Sequence, residues 1–80
     1  MHKVCSGQVY RHFKGFLVVI IAIAKHTETN EELVVYTCVS TDANHKGGIF
    51  ARPLDMFYEK VDKDKYPEAT QEYRFELISE

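Results

Sequence analysis

The residues whose types and spacing could do chemistry are Tyr10, Arg11, His12, Lys14, His26, Tyr36, Phe50 and Arg52. The densest group is Tyr10-Arg11-His12-Phe13-Lys14-Gly15, which runs straight into the uncharged apolar segment Phe16 to Ala24. Cationic groups and rings thus stand where a buried strand must begin. Guanidinium groups clamp phosphate or carboxylate with paired N–H donors, and aromatic faces stack on bases or proline rings. Arg11, Lys14, Lys25 and Arg52 with Tyr10, Tyr36 and Phe50 are the constellation suited to an anionic ligand. Strand alternation places Tyr10 with His12, Tyr36 with Cys38, and Phe50 with Arg52 on shared faces. If these faces converge, they make an aromatic-basic groove. If they do not, the rings pack the core and Arg52, next to Pro53, ties down a turn carbonyl or carboxylate.

His12 and His26 raise the question of acid–base chemistry, because imidazole titrates near neutral pH. His26 closes the apolar segment, with Glu28 and Glu32 nearby, which is the arrangement a small hydrolase would need. The simpler reading is a turn in which His26 bonds to backbone and the glutamates are solvated. No G-x-S-x-G or H-E-x-x-H motif accompanies these residues, so an enzyme is not expected. His2, Cys5, His12, His26, Cys38 and His45 are too scattered for a zinc site, and Glu28, Glu31 and Glu32 do not have calcium-loop spacing. No metal and no cofactor is expected. Cys5 and Cys38 form no C-x-x-C pair and are expected to be free thiols.

The elements that must position these groups are short. Residues 7–13 read as a strand, and Lys14-Gly15 as a turn. Phe16 to Ala24 is rich in β-branched residues and reads as a central strand covered on both faces. The polar stretch His26 to Glu32 connects it to a second long strand, Leu33 to Thr41, as an antiparallel hairpin. Asp42 to Gly48 reads as a loop whose glycines supply positive φ. Ile49 to Arg52 is a third core strand. Pro53 ends it and suits the start of a helical turn, Pro53 to Phe57, with Leu54 and Phe57 on one face. Glu59 to Glu72 is highly charged and reads as a surface loop. Tyr73 to Leu77 alternates, with Tyr73, Phe75 and Leu77 on the core side, and closes the sheet as an edge strand.

Eighty residues, 45% hydrophobic and 28% charged, describe one folded domain spanning residues 1–80 and exclude a disordered chain. The net charge of −2 conceals an asymmetry: residues 1–26 hold Lys3, Arg11, Lys14 and Lys25 and no carboxylate, while the acidic side chains all follow. The apolar segment is far short of the ~20 residues a membrane-spanning helix needs. No signal-peptide pattern opens the chain, and a cytoplasmic location with no membrane partner is the default expectation. The fold class expected is all-β: a small SH3-like barrel of four to five antiparallel strands with one short helical turn after Arg52.

Four blocks in order resemble a small bacterial domain family of unknown function. They are Tyr10-Arg11-His12-Phe13-Lys14-Gly15, Ala24-Lys25-His26-Thr27-Glu28-Thr29, Glu32-Leu33-Val34-Val35-Tyr36, and Arg52-Pro53-Leu54-Asp55-Met56-Phe57. The family pattern is Y-R-H-F-K-G … A-K-H-[ST]-E-T … V-V-Y … W-V-R-P … M-F, and the resemblance covers roughly residues 6–61. It implies an SH3-like barrel and no established activity. The chain departs from the pattern at Phe50-Ala51, where Trp-Val is expected. It departs again at Phe16, which replaces a polar residue and is expected as an exposed contact. The readings carried forward are two. One is a non-catalytic module binding nucleic acid or a nucleotide through Tyr10, His12, Tyr36, Phe50 and Arg52, with Lys14 and Lys25 on the rim. The other is a module for a protein partner or homodimer, using Phe16 and Tyr73 to Ile78.

Overall fold

The computed structural model describes residues 3–39 and 48–79. His2, His45, the expected strand end Ser40-Thr41 and most of the loop 42–48 lie outside the described residues. The strands are β1 (Val9–His12), β2 (Leu17–Lys25), β3 (Glu32–Cys38), β4 (Ile49–Pro53) and β5 (Phe75–Ser79), and α1 (Leu54–Phe57) is a single helical turn between β4 and β5. All pairings are antiparallel, in one sheet of order β4-β3-β2-β1-β5. The chain is therefore all-β with one helical turn after Arg52. No helix among the described residues is long and apolar enough to cross a membrane.

Local chemistry sets the turns. Gly15 takes φ 106° between β1 and β2, a conformation with no steric cost only for glycine. In the β2–β3 hairpin Asn30 takes φ 64°, and asparagine tolerates the left-handed region better than most residues. His26 Nδ1 accepts the Glu28 N–H at 3.1 Å and the Thr29 N–H at 3.4 Å, so this imidazole organises the turn as the simpler reading expects. Pro53, at φ −53°, precedes α1 without a side-chain cap. Its fixed φ ends β4 and turns the chain into the helical segment.

Register decides which side chains meet. Tyr10 pairs with Val18 and Leu77, and His12 with Phe75. Ile20 pairs with Tyr36, and Tyr36 with Phe50. Directly opposed residues share a face, so Tyr10, His12, Val18, Ile20, Val34, Tyr36, Cys38, Phe50, Arg52, Phe75 and Leu77 all lie on the inner face. The core forms there: Val4, Tyr10, Val18, Ile20, Val34, Tyr36, Phe57 and Phe75 are buried, with Leu54, Tyr58 and Leu77 packed against them. Phe57 stacks on Phe75 with centroids 4.2 Å apart and meets Tyr10 edge-on at 5.0 Å. Each such side chain contributes roughly 1.5–3 kcal/mol on burial. The buried Gln8 amide oxygen accepts both the Cys5 N–H and the Tyr10 hydroxyl, which satisfies a polar group that would otherwise be costly.

Several expectations change here. The segment 16–24 is extended and central, but it is not covered on both faces. Val18 and Ile20 are buried, whereas Ile21, Ala22 and Ile23 are exposed. A register shift between Ile20 and Ala22 makes Ile21 the extra residue of a bulge. A bulge breaks alternation and bends its strand, so the apolar run continues past the core toward the hairpin tip. Phe16 is half-buried, stacked on His12 at 4.3 Å, and packs against the core, so it is not an exposed contact. Tyr73 is 40% exposed and not a core residue, because its only sheet contact is an isolated bridge to Lys60 outside the β1–β5 register. Gly48 is not at positive φ; a Cβ there would run into the Phe50 ring. The segment 59–72 lies on the surface, but Val61 anchors it in a buried position.

Candidate functional site

The inner face does not end at the core. Beyond it, a cleft of about 320 Å³ opens between β1, β3, β4 and the start of β5. Its walls are His12 from β1, Tyr36 and Cys38 from β3, and Phe50 and Arg52 from β4. Phe13, Lys14 and Phe16 come from the β1–β2 turn, Tyr66 from the 59–72 loop, and Arg74 from just before β5. Five of the eight residues singled out in the sequence therefore meet: His12, Lys14, Tyr36, Phe50 and Arg52.

Three do not join them. Tyr10 is on the same face but is covered by Phe57, 1% exposed, and its hydroxyl donates to Gln8. It belongs to the core. Arg11 alternates to the outer face, where its guanidinium pairs with Glu76 at 2.8 Å and with Gln71 at 3.3 Å. His26 sits in the β2–β3 turn with its Nδ1 occupied by backbone donors, so it lies away from the cleft. Lys25, expected at the rim, lines a different cleft with Lys3 and Glu32.

The electrostatics of the cleft distinguish it. Lys14, Arg52 and Arg74 line it, and no carboxylate does among the described residues. The other clefts described each carry a glutamate: Glu72 and Glu76, Glu32, or Glu68. The cleft beside Tyr10 and Phe57, about 380 Å³, is more apolar in its walls but acidic at its edge. Within the basic cleft, Arg52 Nη1 and Arg74 Nε are buried and make no hydrogen bond among the described residues. Glu59 approaches Arg74 Nε to 3.4 Å, near enough for charge attraction but not aligned as a hydrogen-bond acceptor. Arg52 instead lays its guanidinium over the Phe75 ring, 5.3 Å from the centroid. Unpaired buried N–H groups are rare and costly.

The rings are graded from inside to outside. His12 stacks between Phe13 and Phe16 at 4.5 and 4.3 Å and meets Phe75 edge-on at 5.0 Å. Its Nδ1 accepts the Lys14 N–H at 3.1 Å, so that nitrogen carries no proton and the imidazole fixes the turn that presents Lys14. Lys14 Nζ lies 5.3 Å from the centre of Tyr66, which itself packs on Phe13 at 4.9 Å. Phe50, 39% exposed, stands at the mouth beside the buried Tyr36 at 5.8 Å. Its position rests on Gly48, where any side chain would collide with the ring.

A family model described as a protein of unknown function (DUF1653) matches residues 8–77. The chain belongs to the DUF1653 family. It is similar to a crystal structure of a DUF1653 protein from Bordetella bronchiseptica, at 31% identity over 96% of this chain and 90% of that one, with a TM-score of 0.75. No curated protein matches it.

This DUF1653 chain builds its cleft partly from residues the sequence did not single out as ligands. Phe13, Cys38, Tyr66 and Arg74 line it, and so does Phe16, which was assigned to a different surface. Alternation along Tyr73-Arg74-Phe75 points Arg74 to solvent, yet Arg74 precedes β5. Its backbone is held by Glu59 and Phe13, with the Arg74 N–H donating to the Glu59 carbonyl and the Phe13 N–H donating to the Arg74 carbonyl. Those bonds, not strand pleating, set the direction of its side chain. Chemically, the cleft offers cationic donors at depth and a ring at the rim.

Proposed function

We propose that this DUF1653 domain is a non-catalytic recognition module for nucleic acid or a nucleotide. The observation that carries the reading is the pair Arg52 and Arg74, whose buried donors make no hydrogen bond among the described residues, in a cleft where Glu59, 3.4 Å from Arg74 Nε, is the one carboxylate described beside them. A phosphate oxygen is the acceptor such donors fit, through charge-assisted hydrogen bonds. Phe50 supplies the exposed ring on which a base can stack. The strand order β4-β3-β2-β1-β5, with a helical turn between β4 and β5, supports an SH3-like description of the scaffold. Binding of short single strands should weaken with salt. Two or three neutralised phosphates correspond to roughly a tenfold loss between 50 and 200 mM salt. Titration of a fluorescent oligonucleotide and of AMP tests this, and binding indifferent to salt, or binding of neither, rejects it.

The alternative of a protein partner or homodimer draws on Ile78 of β5 and Tyr73, two residues before that strand, both exposed. Concentration-dependent sedimentation would favour it, and a monomer at all concentrations would dismiss the homodimer.

A further inference from the structure

On the footing of the nucleotide reading, we infer that the ligand presents a terminal phosphate monoester, not an internal phosphodiester. The class includes mononucleotides and the 5′-phosphorylated ends of strands. The inference comes from where the positive charge lies. Proteins that track a nucleic-acid backbone hold their cations along an open groove. Here the two donors that make no hydrogen bond among the described residues, Arg52 Nη1 and Arg74 Nε, are shielded from solvent inside the cleft. Arg52 comes from the edge strand β4 and Arg74 from the approach to the opposite edge strand β5. Both line the same cleft, so a phosphate that serves both enters that cleft end-on.

An internal diester has two bridging oxygens whose substituents must both leave the site. A monoester has three free oxygens and a single exit, toward the Phe50 ring at the mouth. Charge agrees with shape. A phosphate monoester carries roughly −1.5 to −2 at pH 7, and among the described residues the cleft sets Arg52, Arg74 and Lys14 against Glu59. A diester carries a single charge and would leave more of this excess uncompensated. The volume of about 320 Å³ lies at the small end of ligand pockets, which span roughly 300–1,000 Å³. That suits one nucleotide-sized group and not a length of strand.

The test is fluorescence anisotropy with a hexathymidylate bearing either a 5′-phosphate or a 5′-hydroxyl, and calorimetric titration with AMP and adenosine. Removing the phosphate should weaken binding roughly ten- to hundredfold in both pairs, the loss expected for hydrogen bonds to a charged group. A loss confined to AMP assigns the monoester to free nucleotides, and a loss confined to the oligonucleotide assigns it to strand ends. Either supports the inference. Equal affinity for the two oligonucleotides, with no preference for AMP over adenosine, overturns it while leaving the nucleic-acid reading in place. Binding of none of the four removes both. A phosphotyrosine peptide bound more tightly than AMP also overturns it. In Arg52→Met and Arg74→Met, each checked for folding by circular dichroism, the affinity ratio should collapse toward one. A ratio unchanged in both variants refutes the placement of the phosphate.

Discussion

Replacing Arg52 with methionine separates a ligand-binding arginine from a structural one, because the two roles predict opposite signs for stability. Methionine keeps an unbranched apolar stem along the inner face and removes the guanidinium. What is lost is the contact with Phe75 at 5.3 Å, worth about 1 kcal/mol for a half-buried cation over a ring. What is gained is relief from the buried Nη1 donor that makes no hydrogen bond, a penalty of about 1–3 kcal/mol. The balance favours the variant by about 1 kcal/mol, or a Tm rise of roughly 4–8 °C in a domain of this size. Ligand should act the other way. At a hundred times its Kd a nucleotide stabilises the native protein by about 2.7 kcal/mol, and the variant should lose most of that shift. Thermal unfolding followed by circular dichroism, with and without AMP, reads both effects in one experiment. If Arg52 instead ties down the fold, the variant melts more than about 5 °C below the native protein without ligand. That result would refute the reasoning from the unpaired donor.

Three further outcomes follow from the packing. Phe57→Ala removes the ring that stacks on Phe75 and covers Tyr10; a loss of about 3–5 kcal/mol against a total near 4–12 kcal/mol for eighty residues should remove roughly half of the stability, as a fall in the urea midpoint would show. His26→Ala removes the acceptor for two turn N–H groups, but water reaches this exposed loop. The cost should stay within about 1 kcal/mol, with nucleotide affinity unchanged, and a marked fall in affinity would bring the hairpin into the site. Gly48→Ala forces the Phe50 ring aside and should weaken binding by up to about tenfold with little change in Tm; calorimetric titration that finds equal affinity would remove Phe50 from the binding surface.

The strands, the Lys14-Gly15 turn and the helical turn after Pro53 were legible because each has a local cause. β-branched runs favour extended backbone, glycine permits positive φ, and proline fixes its own φ. Pairwise alternation also placed Tyr36 with Cys38 and Phe50 with Arg52 correctly on one face. Illegible were the effects of distance. Nothing in the sequence around Tyr10 indicates that Phe57, beyond β4, covers it, or that Glu76, near the far end of the chain, will claim Arg11. Arg74 was hidden for the same reason, since backbone bonds to Glu59 and Phe13 orient it. The bulge at Ile21 was masked by composition: nine apolar residues look doubly buried whether or not the strand bends out of the core.

The core and the cleft share one sheet face, and Phe75 is where they meet. Its ring stacks on the buried Phe57 of the core, and also carries the Arg52 guanidinium and the edge of His12. A domain this small buries only about 60% of its potential surface, so it has no interior to spare for a separate cavity. A binding site must instead be made by letting the core thin out along the face that already holds it. The contrast lies between strands: the inner-face positions of β3, Val34, Tyr36 and Cys38, are buried, whereas on the edge strand β4 Arg52 is half-buried and Phe50 is exposed. Ring packing makes the inner part of that face rigid, and the Arg52 and Arg74 donors lie deep in the cleft beside it with Phe50 at the rim. The same economy explains why the unpaired donors are tolerated. Their cost is borne by a core whose aromatic contacts are dense, and the donors themselves stay aimed because Phe75 and Phe13 hold the segments that carry them.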